Sequence, residues 1–205
     1  MSDLVAVADV IPHVFYEAFA YDEHVRGTID PGQAREIRRA GVRKPHHLAG
    51  LEIHMSGLER QPWIYTPNAL RVFTREAKDV IESHLESADR VRFQDVTAVL
   101  ADGSRRDAFV ALPTEQVDVL SARSEISPHG VAKRWALELS KLRDRTFFAM
   151  PHMHSTTAIR GSLVLALHTL GWPGYVAPLV VLDGARVVTL DDWADHPEWT
   201  GFRAA

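Results

Sequence analysis

The stretch from Arg143 to Tyr175, "RDRTFFAMPHMHSTTAIRGSLVLALHTLGWPGY", decides how the chain is built, because it runs from a strand through a turn into a helix. "TFFAM" has the β-branched and aromatic content of a short buried strand. Downstream, Ile159, Leu163, Ala166, Leu167 and Leu170 recur at the 3.6-residue period of one helical face, and Gly171 with Pro173 stops the pattern. A helix needs acceptors for its first N–H groups, and hydroxyl oxygens just ahead of it supply them. Ser155, Thr156 or Thr157 is therefore the expected N-cap of a helix running to about Leu170. "YVAPLVVL" and "GARVVTL" follow as strands.

Working outward, "HVFYEAFAYD" (His13–Asp22) reads as a strand with Phe15, Glu17 and Phe19 on one face. From Glu23 to Pro62 the pattern is that of loops, with a short helix near Ala34–Arg39 and a strand at Leu51–Met55. "TREAKDVIESHLES" begins at Thr74, a residue suited to an N-cap, and puts Ala77, Val80, Ile81, His84 and Leu85 on one helical stripe. In "RVRFQDVTAVLADGSRRDAFVALP" two alternating runs flank Asp102-Gly103, a dipeptide that accepts positive φ, which is the mark of a β-hairpin. "VDVLSARSEISPHG" reads as a turn closed by Pro128 and Gly130, and "RWALELS" as a strand with Trp135, Leu137 and Leu139 on one side. Strands and helices without regular βαβ alternation imply an α+β fold: a mixed, mostly antiparallel sheet with a β-hairpin and two or three packed helices. Residues 1–60 are expected to be an N-terminal segment of the same domain as residues 61–205.

The absence of cysteine excludes disulfides, thiolate catalysis and cysteine-bound metals. No run reaches the apolar length of a membrane span, and the first residues carry neither a basic start nor an unbroken apolar core, so no membrane association is expected and the expected location is cytoplasmic. His152 and His154 would point to one side of an extended chain and could share a metal ion, as in a metal-dependent hydrolase. A third ligand would have to come from His168, His46, His47 or a carboxylate, and the spacing nominates none, so no metal and no other cofactor is expected. The basic run Arg35–Lys44, followed by His46-His47, is the segment a nucleic-acid-binding regulator would use; the net charge of −4 argues against that alternative. No phosphate loop, nucleophile elbow or zinc-protease motif is present, and the chain is not expected to be an enzyme.

"DDWADHPEW" (Asp191–Trp199) is different in kind. Asp191, Asp192, Asp195 and Glu198 surround Trp193 and Trp199 in a segment too polar for a core. Carboxylates suit a basic partner, and indoles are enriched where interfaces hold most of their binding energy.

The order of blocks "TPNALRVFTREAKDVIESHL", the hairpin, "VDVLSARSEI", "LELSKLRDRTFFAMP" and "IRGSLVLALHTLGWPGYVAPLVV" resembles the eleventh immunity-protein family of bacterial polymorphic toxin systems. The resemblance covers about Gln61–Val181; where the family has "FRLPG" this chain has "FFAMPH", so His152 stands at the turn glycine. It implies an α+β fold and a cytosolic antidote without catalytic residues. The implied partner is a cognate secreted or contact-delivered toxin domain, neutralised by stoichiometric binding. A basic toxin, such as a nuclease, is the type that the acidic stretch from Asp191 to Trp199 would suit.

Overall fold

The structure, a computed structural model, describes residues 9–19, 32, 35–36, 50–55, 58, 63–65, 71–113, 117–130, 132–149, 157–171, 175–184 and 186–188. Among these the fold is α+β, with two α-helices set among strands that are mostly antiparallel. Of the short helix expected at Ala34–Arg39, Arg35 and Glu36 are described, and both are helical.

The first sheet grows from the hairpin. Strands β5 (Val91–Val99) and β6 (Arg105–Pro113) pair in unbroken register from Val91↔Pro113 to Val99↔Arg105. At the tip only Gly103 takes the left-handed conformation, with φ +81; its N–H donates to the Leu100 carbonyl at 2.9 Å. Asp102 keeps negative φ and instead accepts the Ser104 N–H on its carboxylate at 2.8 Å. That left-handed φ is why the turn takes glycine at this one position. The sheet is completed in the order β2-β5-β6-β4-β3 by β2 (Glu52–His54), β3 (Trp63–Tyr65) and β4 (Arg71–Phe73), with β2 parallel to β5.

β4 leads directly into helix α1 (Arg75–His84), and here the local signals suffice. Thr74 is extended, and its hydroxyl accepts the Ala77 N–H at 3.3 Å. The Glu76 carboxyl, bonded to its own backbone N–H and to the Thr74 hydroxyl, is held below the usual carboxylate range. Ala77 and Ile81 are buried. His84 is half-buried, with Nδ1 2.8 Å from the Val80 carbonyl oxygen.

The second sheet has the order β10-β11-β1-β12, made of β1 (Phe15–Phe19), β10 (Phe147–Ala149), β11 (Thr157–Arg160) and β12 (Tyr175–Pro178), all antiparallel. β1 lies inside this sheet, and both of its faces are covered. Phe15 joins the cluster of Phe148, Ala158 and Leu179, while Tyr16, wholly buried, joins that of Ile159, Leu163 and Val176. The remaining strands are β7 (Glu125–Ile126) paired with β8 (Ala132–Arg134), and a small sheet of β14 (Arg186–Val187), β13 (Val181–Asp183) and β9 (Leu137–Glu138).

The expected cap of the second helix is corrected by this arrangement. Thr157 is not a cap: it opens β11 and pairs with Ala149. Ile159 likewise belongs to the strand, and Ser155 and Thr156 lie outside the described residues. Helix α2 begins four residues later than Thr157 and spans Gly161–His168, with no side chain bonded at its start. Its first donors go to backbone oxygens far away in sequence. Gly161 N–H donates to Val14 at 2.7 Å and Ser162 N–H to Pro12 at 2.9 Å. The turn that offers these carbonyls is closed by Val14 N–H on Ile11 at 3.2 Å, and the Ile11 N–H donates to the Tyr16 hydroxyl at 2.9 Å. A Cβ on residue 161 would stand 2.0 Å from the Ile11 carbonyl oxygen, so only glycine lets the two backbones meet. Leu163 and Leu167 are buried as expected, and Gly171, at φ +87, ends the segment with its N–H on the His168 carbonyl at 2.9 Å.

A single cluster joins both helices to both large sheets. Phe73 of β4 meets Phe147 of β10 edge-on at 6.3 Å between centroids, and Phe93 at 5.7 Å. Asp89, in the loop after α1, fastens the sheets from the side. Its carboxylate accepts the N–H groups of Glu86 at 2.9 Å, Thr146 at 3.0 Å and Phe147 at 3.1 Å. Arg145 Nη1 donates to the Ala88 carbonyl at 2.6 Å beside it.

Two outcomes follow from the junction of the Ile11–Val14 turn with α2. Gly161→Ala should cost about 3 kcal/mol, the upper range for forcing extra volume into a packed site, whereas neighbouring Ser162→Ala should cost little. Denaturant melts of the two variants check this, and equal midpoints would contradict it. Burial raises the Tyr16 phenol above its ordinary 10.0, partly offset by the Ile11 N–H. The unfolded chain then loses this proton first, so stability falls as pH rises past about 10. Tyr16→Phe should flatten that alkaline loss in melts recorded from neutral to high pH.

Candidate partner-binding face

The residues nominated from sequence for partner binding, Asp191, Asp192, Trp193, Asp195, Glu198 and Trp199, lie outside the described residues, as do His46, His47, His152 and His154. His168 is in the last turn of α2, on its exposed side. Among the described residues no group of three or more histidine or carboxylate side chains could hold a metal ion, and no helix is long and apolar enough to cross a membrane.

Two clefts on the described surface are of opposite character. The polar one, of about 240 Å³, lies where the start of α1 meets the β5–β6 hairpin, and Arg75, Asp95, Thr97, Asp107 and Phe109 line it. The register Asp95↔Phe109 and Thr97↔Asp107 sends these side chains to the face that carries α1. Arg75 Nη2 bonds Asp107 Oδ2 at 3.0 Å, and this hydrogen bond raises the guanidinium pKa further from neutrality. The Phe109 ring carries two cations, with Arg75 Cζ 5.1 Å and Lys78 Nζ 5.0 Å from its centroid. Arg75 and Asp107 are both well exposed, so their pairing is screened and contributes little to stability.

The second cleft, of about 220 Å³, is lined by His13, Val14, Phe15, Leu139, Val181 and Val188, five apolar residues and one imidazole. Leu139 at its rim is 41% exposed, a large apolar side chain left open to water. The alternation of "RWALELS" puts Leu139 on the same side of a strand as Trp135 and Leu137. In the structure Leu137 is buried against Val181 by parallel pairing, β9 ends at Glu138, and a 3-10 turn over Leu139–Lys141 breaks the alternation. Leu142, three residues on, is buried instead. The cleft as a whole had no local signature, because its walls come from the start of β1, the 3-10 turn, β13 and the end of β14.

Val188 N–H donates to the Val181 carbonyl at 2.9 Å, which fixes the end of the described chain to the wall of the apolar cleft. No protein-family model and no curated protein matches the chain.

Phe109 and its cations give a direct check on the polar cleft. Phe109→Ala should cost about 3–5 kcal/mol, as for other buried aromatics, whereas Asp107→Asn should barely move the melting midpoint. A large loss from Asp107→Asn would mean that the ion pair holds the hairpin to α1.

Proposed function

We propose that the protein is an immunity protein, which occupies a cognate toxin domain stoichiometrically, in the cytoplasm, and turns over no substrate. The observation that carries this reading is a juxtaposition. Asp191 stands three residues beyond Val188, and three residues span at most about 11 Å, so the acidic and aromatic segment is tethered at the wall of the apolar cleft with exposed Leu139 on its rim. Carboxylates beside exposed apolar surface make the combination that recognises a basic partner: charge draws it in and orients it, and desolvated apolar and aromatic groups hold it. The order of strand, helix, hairpin and final helix–strand unit supports the same reading through its resemblance to immunity proteins. A nuclease is the toxin type that the acids favour, since such proteins carry the positive charge needed to bind phosphates.

The test is binding kinetics against the toxin domain encoded beside this chain's gene, at two ionic strengths. Asp191→Lys combined with Asp192→Lys should slow association about tenfold at low salt and flatten its salt dependence. Trp199→Ala should leave association nearly unchanged and speed dissociation, by roughly 2 kcal/mol in binding free energy. If neither variant alters binding, or if the wild-type chain does not bind the domain, the reading fails.

A further inference from the structure

We propose that Asp183-Gly184, at the turn between β13 and β14, is a covalent modification site where the folded chain rearranges spontaneously from aspartate to isoaspartate. The chain's other Asp-Gly pair, Asp102-Gly103, is shielded from the same reaction by its fold. The chemistry needs neither partner nor cofactor. The Gly184 nitrogen attacks Asp183 Cγ and closes a five-membered succinimide, while the amide proton and the carboxyl OH leave as water. A second water then opens the ring. Attack at Cγ restores aspartate. Attack at the former main-chain carbonyl leaves the backbone running through Cβ and Cγ, with the α-carboxylate as the side group. Glycine, having no side chain, leaves the attacking nitrogen unhindered.

The two pairs are held differently. The Asp102 carboxylate accepts the Ser104 N–H at 2.8 Å, and the Gly103 N–H donates to the Leu100 carbonyl at 2.9 Å, so electrophile and nucleophile are each turned to another group. Hydrogen bonds from Ser104 also keep the Asp102 carboxyl below its usual range, in the ionised form that resists attack. Asp183 and Gly184 are both exposed, and among the described residues no hydrogen bond or ion pair holds the Asp183 carboxylate. The Gly184 N–H reaches Glu138 Oε1 at 3.4 Å, longer than an ordinary hydrogen bond. A Cβ on residue 184 would meet nothing within 4 Å, so the ring has room. A strand does not hold the next nitrogen behind Cγ, and closure therefore waits on local opening. Opening is easier where the ladder is short. The β13–β14 register comprises Leu182↔Val187 and Asp183↔Arg186, against the unbroken run from Val91↔Pro113 to Val99↔Arg105 in the other hairpin. Isoaspartate adds one backbone methylene at the turn and breaks the short register. The bond from Val188 N–H to the Val181 carbonyl is next along that ladder, and both residues line the apolar cleft, so the modification shifts one of its walls.

The test is incubation of the full chain at neutral pH and physiological temperature in water enriched in heavy oxygen. Digestion and electron-transfer fragmentation then locate isoaspartate and the label that each ring opening leaves. Both should accumulate at Asp183 about tenfold faster, or more, than at Asp102. In concentrated urea, where neither hairpin persists, the two rates should agree within about twofold. In the aged wild-type chain the Val188 amide should exchange faster in the isoaspartate fraction. Asp183→Glu keeps the charge but would need a six-membered ring, so it should gain no label at position 183 and keep Val188 slow to exchange. Conversion of Asp102 as fast as that of Asp183 in the folded chain would overturn the proposal. So would a folded chain that stays unmodified at Asp183 while the urea sample converts. A Val188 amide unchanged in the isoaspartate fraction would overturn the link to the cleft wall. None of these measurements uses the toxin, so their failure is separate from failure of the immunity reading.

Discussion

The start of α2 rests on the carbonyl groups of Pro12 and Val14, and the rest of the structure depends on that contact. A helix end buried without acceptors leaves donors unsatisfied, and here the cap residue Arg160 makes no side-chain bond to them. The Ile11–Val14 turn does so only because residue 161 has no Cβ. The same turn continues into β1, which lies between β11 and β12, and β11 is the strand from which α2 springs. One backbone junction thus fixes where β1 enters the sheet, where α2 leaves it, and how both close the core shared with α1 and Phe73. The N-terminal strand β1 is thus an inner strand of the second sheet.

How much was legible in the sequence follows from which interactions are local. The hairpin at Gly103 and helix α1 could be read because their determinants lie within a few residues: a turn glycine, a threonine cap, a stripe of Ala77 and Ile81. The α+β class followed from these and from the short apolar strands. The start of α2 could not be read. Thr156 and Thr157 offered a plausible local cap, but pairing of Thr157–Arg160 with β1 and β10 on both sides of β11 satisfies more backbone groups than an extra helical turn would. The acceptors that replaced the hydroxyls are about 150 residues away in sequence, beyond any local pattern. Nothing local to Gly161 beyond the poor helix propensity of glycine marks the close backbone approach made there.

The acids and indoles between Asp191 and Trp199 stand out by composition and lie outside the described residues. The apolar cleft does not stand out, because His13, Phe15, Leu139, Val181 and Val188 converge from separate segments, and Leu139 reaches the rim only through the 3-10 turn that interrupts β9. The cleft and the junction at α2 are built from one segment: Val14 gives its carbonyl to Gly161, and His13, Val14 and Phe15 line the cleft. A disturbance of the junction would therefore reach the proposed partner-binding face directly, by moving one wall of the cleft.

Amide hydrogen exchange at Gly161 and Ser162 tests the junction most directly. Both amides should exchange only through global unfolding, as slowly as those of Leu163 and Leu167 deep in α2, because their acceptors belong to the turn that leads into β1 rather than to a fraying helix end. Exchange at Gly161 and Ser162 as fast as at ordinary helix starts, with Leu163 and Leu167 still protected, would contradict the claim that the Ile11–Val14 turn holds α2 in place.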